Sequence, residues 1–215
     1  MILKRIKIQM KFVGETNCYI VVDEKLKKAM VIDPAGNVPK IIEVLNNLGA
    51  ELEYIYLTHC HADHINGVND LKREVGGKVL IHRNGRDNLE NRIPILAEYI
   101  GVPPIYVKED SIVDDEDTLH VGDIEFRVIY TPGHTNDGTS LYCEKEGLVF
   151  SGDTLFKGAW GRVDLPTSDF DDIMNSIIKK LLILPDETIV YPGHGKPTRI
   201  GDEKPIYLEA KPNID

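Results

Sequence analysis

Residues 58–67, THCHADHING, place His59, His61 and His64 within six positions of one another, with Asp63 between the last two. Imidazole nitrogen and carboxylate oxygen are the donors that divalent ions such as Zn²⁺ select. The preceding stretch, Tyr54–Thr58 (YIYLT), has the β-branched and aromatic content of a buried strand, so the histidines fall on the loop that follows it. In extended chain, positions 59 and 61 point to the same side because side chains alternate with a period of two. Those two can grip one ion while a turn carries Asp63 and His64 toward a second. A polar loop with scattered solvent-facing histidines is the alternative, and this density of ligands disfavours it.

Three further places repeat one pattern, a strand end followed by a tight loop with a single ligand-type residue: TPGH at 131–134, SGD at 151–153 and YPGH at 191–194. Gly or Pro beside each lets the backbone turn sharply and presents His134, Asp153 and His194 at a sheet edge. Each alone reads as an ordinary turn. Together with the histidine cluster they describe four loops converging on one edge.

Around these loops the chain reads as strands at 2–10, 17–23 and 29–33, then a helix whose Val38, Ile41, Ile42, Leu45 and Leu48 share a face and which Gly49 stops. A helix at 68–75 and a strand at 79–82 follow. Residues 84–100 read as helical up to Gly101, with Pro94 as the weak point. Strands are expected at 105–107, 118–130, 139–143, 147–150 and 188–191. A last helix starts near Ser168, taken as its N-cap with Asp171 three residues on, and buries Ile173, Ile177 and Leu181 among others.

The chain has 215 residues, enough for one domain with an ample core. With 25 basic against 35 acidic residues the net charge is −10, which disfavours nucleic acid as a partner because phosphate affinity comes from Lys and Arg. No run approaches the ~18 apolar residues of a membrane helix, so no membrane partner is expected. The opening MILKRIKIQM lacks the apolar core and cleavage site of a signal peptide, and Cys18, Cys60 and Cys143 are too few and too far apart for a disulfide framework. A cytoplasmic location is expected.

The ordered set THCHADH, TPGHT, SGDTLF and YPGHG resembles the metallo-β-lactamase superfamily, and FSGDTLFKGAWGRVDLP (150–166) with TNCYIV (16–21) is similar to its glyoxalase II-like branch, over roughly residues 12–203. The resemblance implies an α/β fold, an αββα sandwich of two mixed β-sheets with helices on the outer faces. It also implies two divalent metal ions, zinc first, with iron or manganese as further possibilities. His59, His61 and His134 would bind one ion, Asp63, His64 and His194 the other, and Asp153 would bridge them. A water held between two cations is acidic enough to attack a carbonyl near neutral pH, and Asp63 is expected to orient it as well as bind metal. The implied substrate is a small-molecule thioester.

Two residues beyond the ligands are candidates. Asp33, in VIDPAG, either holds a ligand histidine by its second nitrogen or closes a turn. Arg162 either binds a substrate carboxylate or pairs with Asp164. Glyoxalase II carries a C-terminal helical domain for glutathione; about twenty residues follow YPGHG here, so one domain over 1–215 is expected, without that addition. A helical insertion at 84–107 near the site mouth is expected either to replace the lost substrate contacts or simply to cover the sheet edge. Within the same superfamily, a one-iron persulfide dioxygenase using His61, His134 and Asp153 is the competing expectation. β-Lactam chemistry ranks lower because SGDTLF and GRVDLP favour the thioesterase branch, and nuclease chemistry lower again because the chain is acidic and no appended nucleic-acid-binding domain is expected.

Overall fold

The computed structural model describes residues 1–208. Residues 209–215, the end of the tail read above, lie outside the described residues. Two six-stranded mixed sheets pack face to face. The first holds β1 (Ile2–Met10), β2 (Gly14–Val22), β3 (Lys28–Ile32), β4 (Glu51–Tyr56), β5 (Lys78–His82) and β6 (Ser111–Val113), neighbours in that order. β1 to β3 are antiparallel, and β3 to β6 run parallel. The second holds β7 (Thr118–Val121), β8 (Ile124–Tyr130), β9 (Thr139–Cys143) and β10 (Leu148–Gly152). A small hairpin, β11 (Leu155–Phe156) with β12 (Ala159–Trp160), leaves β10 before β13 (Ile189–Pro192) and β14 (Thr198–Arg199) complete that sheet.

Alternation along each strand divides the core into three apolar layers. In β2, Cys18, Ile20 and Val22 face the first helical layer, formed by α1 (Val38–Leu48) and α3 (Val68–Val75). Tyr19 and Val21 face the other way, into the space between the sheets, and meet Phe126, Val128, Leu141 and Phe150. The third layer joins Ile129, Tyr142, Val149 and Val190 to α5 (Phe170–Ser176), its π-helical continuation Ile177–Leu181, and α6 (Ile200–Leu208). Each sheet is thus covered on both faces, as long buried strands require. This is the expected αββα sandwich. α1 ends as its sequence predicts: Gly49 takes a left-handed conformation at φ 62°, and its N–H donates to Asn46 O. No helix among the described residues is long and apolar enough to cross a membrane, and the three cysteines are free and buried.

Four expectations are corrected. Residues 84–100 are not one helix: α4 (Arg83–Asn91) stops at Arg92, φ 63°, and two 3₁₀ turns follow at Ile93–Ile95 and Ala97–Ile100. Pro94 has no N–H to give and disfavours a helical residue before it, so the ladder breaks there. Ile105 and Val107 are buried but form no ladder; the edge strand is 111–113. The stretch 118–130 is a hairpin, β7 and β8, turning at Gly122. Ser168 is not the N-cap of α5. Asp169 is, accepting from the Asp172 amide at 2.9 Å, while the Ser168 hydroxyl donates to Leu165 O. The final helix, α6, went unpredicted because its apolar residues do not gather on one face.

Candidate metal centre

β4, β8, β10 and β13 all end at the same edge of the paired sheets, and the loops after them carry the seven candidate ligands. α2 (Ala62–Ile65) follows β4 directly and gives the turn that separates His61 from Asp63 and His64. All seven side chains except His194 are buried, and that one is partly so. Their ligand atoms gather in overlapping sets, His59–His61–His134, His59–His64–Asp153 and Asp63–His64–His194, each within 4.8 Å.

Four histidines have one ring nitrogen tied back to the protein. His134 Nδ1 donates to Arg162 O at 2.8 Å, and His194 Nδ1 to Glu15 O at 2.8 Å. His64 Nδ1 meets Asp33 Oδ2 at 2.9 Å, and His59 Nδ1 meets the Thr58 hydroxyl at 3.0 Å. That hydroxyl in turn donates to Asp33 Oδ2 at 2.7 Å. Each such contact leaves Nε2 facing the centre with its lone pair. Asp153 lies between the groups: Oδ1 is 3.5 Å from His64 Nε2, and Oδ2 is 3.5 Å from His134 Nε2 and 3.3 Å from His194 Nε2.

The site is built by close approach. A Cβ at Gly193 would overlap Asp153 Oδ1 and His64 Cε1, and one at Gly161 would overlap Asp153 O and the His134 ring. Only glycine lets those loops pass so near the ligands.

Burial holds His59 well below the ordinary imidazole range and brings His61 down to about 3. Burial also depresses His134. The second group behaves oppositely. There burial is outweighed by Asp153 and Asp63, which raise His64 far above its usual value and His194 to about 10. Burial alone would lift Asp63, but His64 and His194 bring it down to about 2. One half is therefore a neutral trio of imidazoles, and the other sets two imidazoles against the carboxylates of Asp63 and Asp153.

The residues fit divalent metal. His59 Nε2 and Asp153 Oδ1 are buried without hydrogen-bond partners. His61 Nδ1 faces His134 Nε2 at 3.0 Å although His134 Nδ1 already donates elsewhere. Buried lone pairs aimed at one another are costly unless a cation lies between them.

Asp33 sits where both of its expected roles meet. It ends β3 in a left-handed conformation, φ 51°, and it accepts from Thr58 N at 2.8 Å as well as from the groups above. Arg162 is exposed and bidentate to Asp164, with both contacts at 2.6 Å. His82 stacks on Tyr130 with ring centroids 4.2 Å apart, away from the cluster. The residues missed from sequence are Thr58, whose hydroxyl links Asp33 to His59, and the apolar walls above the centre, Phe12, Val13, Leu96, Tyr99 and Trp160. Only the lone tryptophan beside Gly161 offered a signal for those walls.

The family profile described as the metallo-beta-lactamase superfamily matches residues 12–194. Hydroxyacylglutathione hydrolase GloC of Haemophilus influenzae is 31% identical over 192 residues, 88% of this chain and 90% of that protein. Among solved structures, the BLEG-1 B3 metallo-beta-lactamase superposes with a TM-score of 0.85 at 34% identity, covering 94% of this chain and 96% of that one. TTHA1623 in a di-iron-bound form superposes at 0.78 and 29% identity, covering 92% and 96%.

Proposed function

This chain belongs to the metallo-β-lactamase superfamily, and from that membership we propose that it is a metal-dependent hydrolase of the glyoxalase II type, cleaving a small acyl-thiol. The observation that carries the reading is the seven-residue centre with its inward lone pairs, joined to a relative named as a hydroxyacylglutathione hydrolase. His59, His61 and His134 would hold one divalent ion, Asp63, His64 and His194 a second, and Asp153 would touch both. Zinc is the first expectation, and the same nitrogen and oxygen donors accept iron or manganese. When bound, the ions supply Lewis acidity and a water acidic enough to act near neutral pH.

The chain's own groups do the rest. Asp63 is ionised at neutral pH, so its free oxygen can accept a hydrogen bond from the attacking water and orient it. The Arg162 and Glu15 carbonyls keep the His134 and His194 rings from rotating. A thiolate leaves readily, so the site needs no strong general acid. Leu96, Tyr99 and Trp160 line the same cleft as the ligands and give it apolar walls.

The test is elemental analysis of the purified protein with turnover of S-lactoylglutathione and of an N-acetylcysteamine thioester, alongside nitrocefin hydrolysis and oxygen uptake on glutathione persulfide. Two metals per chain with thioester turnover, abolished by His59→Ala, is the expected result. One iron per chain with persulfide-dependent oxygen uptake and no thioester turnover would replace this reading with the dioxygenase that uses His61, His134 and Asp153.

A further inference from the structure

Above the centre opens a cleft of about 440 Å³. Its walls come from three separate parts of the chain. The turn between β1 and β2 contributes Phe12 and Val13, the 3₁₀ segment contributes Leu96 and Tyr99, and the β11–β12 hairpin contributes Trp160. Several are unusually exposed for their type: Phe12 at 75%, Tyr99 at 62% and Trp160 at 39%. Large apolar side chains held at the lip of a cleft signal an apolar ligand. A second cleft, of about 490 Å³, shares Leu96 and Tyr99 with the first and adds Ile93, Ile95 and Ile105, so the apolar surface continues beyond the site.

Cationic groups are scarce by contrast. Among the described residues lining the first cleft, Arg162 is the only lysine or arginine, and Asp164 already engages it through two hydrogen bonds. Lys11, the neighbour of Phe12 in the chain, is not among the lining residues and holds its ammonium over the Phe12 ring, 4.9 Å from the centroid. Glutathione bears two carboxylates, and a chain of net charge −10 offers them little attraction.

We propose that the cleft selects its substrate by an uncharged apolar or aromatic acyl group lodged against Phe12, Val13, Leu96, Tyr99 and Trp160, and has no subsite for the carboxylates of a glutathionyl leaving group. The proposal rests on the thioesterase reading for the bond that is cleaved, and on the cleft alone for the preference.

Trp160 is the only tryptophan in the chain, so intrinsic fluorescence reports from the cleft itself. The full-length protein is titrated with four unhydrolysable thioethers: S-methyl and S-hexyl derivatives of N-acetylcysteamine and of glutathione. The two hexyl compounds are expected to bind within about threefold of each other, and each at least about tenfold tighter than its methyl counterpart, since buried methylenes add affinity stepwise. Leu96→Ser and Val13→Ser, each checked for folding by circular dichroism, should weaken the hexyl compounds and leave the methyl ones unchanged. Tighter binding of both glutathione compounds whatever the alkyl chain overturns the proposal, as does absence of any fluorescence response to the hexyl compounds.

A second arm separates the two readings. If the metal-loaded protein binds the hexyl ligands but hydrolyses no thioester, the thioesterase reading falls and the cleft preference stands. If it hydrolyses S-lactoylglutathione with a higher kcat/KM than the hexanoyl thioester of N-acetylcysteamine, the preference falls and the thioesterase reading stands.

Discussion

Asp33 accepts from the Thr58 amide, the Thr58 hydroxyl and His64 Nδ1, and so ties two of the histidines to the end of β3. Partners of this kind set ring orientation, and their loss typically weakens metal binding about 10–100-fold. Asp33→Ala should show a loss of that size in competition with a chromophoric chelator; unchanged affinity would mean that His64 is oriented by other contacts. Asp137 presents a different problem. It is fully buried, takes one hydrogen bond from Asn88 Nδ2 on Oδ1, and leaves Oδ2 unpartnered. Burial pushes its carboxyl up to about 6. Because the folded value lies above the unfolded one of 3.8, the folded state holds the extra proton between them. Stability therefore falls as pH rises from about 4 to about 6 and then levels off, with a cost on the order of 3 kcal/mol above that window. Asp137→Asn removes the titration. Its melting temperature relative to the parent should rise between pH 4 and pH 8, and a constant difference across that range would refute the account.

Helix starts and stops show how local chemistry and packing share control of the elements. The Asp169 cap of α5 satisfies the Asp172 amide, and Asp169→Ala should cost about 1 kcal/mol in urea unfolding. Ser168→Ala should cost less of the helix, because that hydroxyl bonds Leu165 O and lies outside it. Equal losses in the two variants would argue against the assignment. Ser168 and Asp169 are neighbouring residues of two good capping types, and only the observed hydrogen bonds discriminate them. At 92–101 the apolar content suggested a helix, yet Pro94 and left-handed Arg92 and Leu96 divert the chain into 3₁₀ turns. That diversion is what brings Leu96 and Tyr99 over the centre.

The two sheets are pinned together at the ligand edge as well as through the layer between them. Residues of the first sheet's loops (His59, His61, Asp63, His64) and of the second's (His134, Asp153, His194) share one cluster. Metal bound there stabilises the folded state by mass action, by about 2.7 kcal/mol at a hundred times the dissociation constant. Chelation should lower the melting temperature, and adding metal back should raise it with the logarithm of its concentration. A chelated, demonstrably metal-free protein with an unchanged melting temperature would show that the packing of the sheets alone holds the loops. The candidate ligands were legible in the chain because their chemistry is local: histidines two apart on a strand end, and Gly or Pro beside each further ligand type. Strand alternation and the apolar face of α1 were legible for the same reason, each being set by neighbours within a few residues. The cleft was not. Its walls lie at 12–13, 96–99 and 160, and no short-range pattern relates them. The buried Asp137 carboxyl, the pairing of Arg162 with Asp164 where a free cation was an equal expectation, and the path through 102–108 likewise depend on what packs beside them. Local bonding rules determined the donors; long-range burial in the folded chain decided what stands around them.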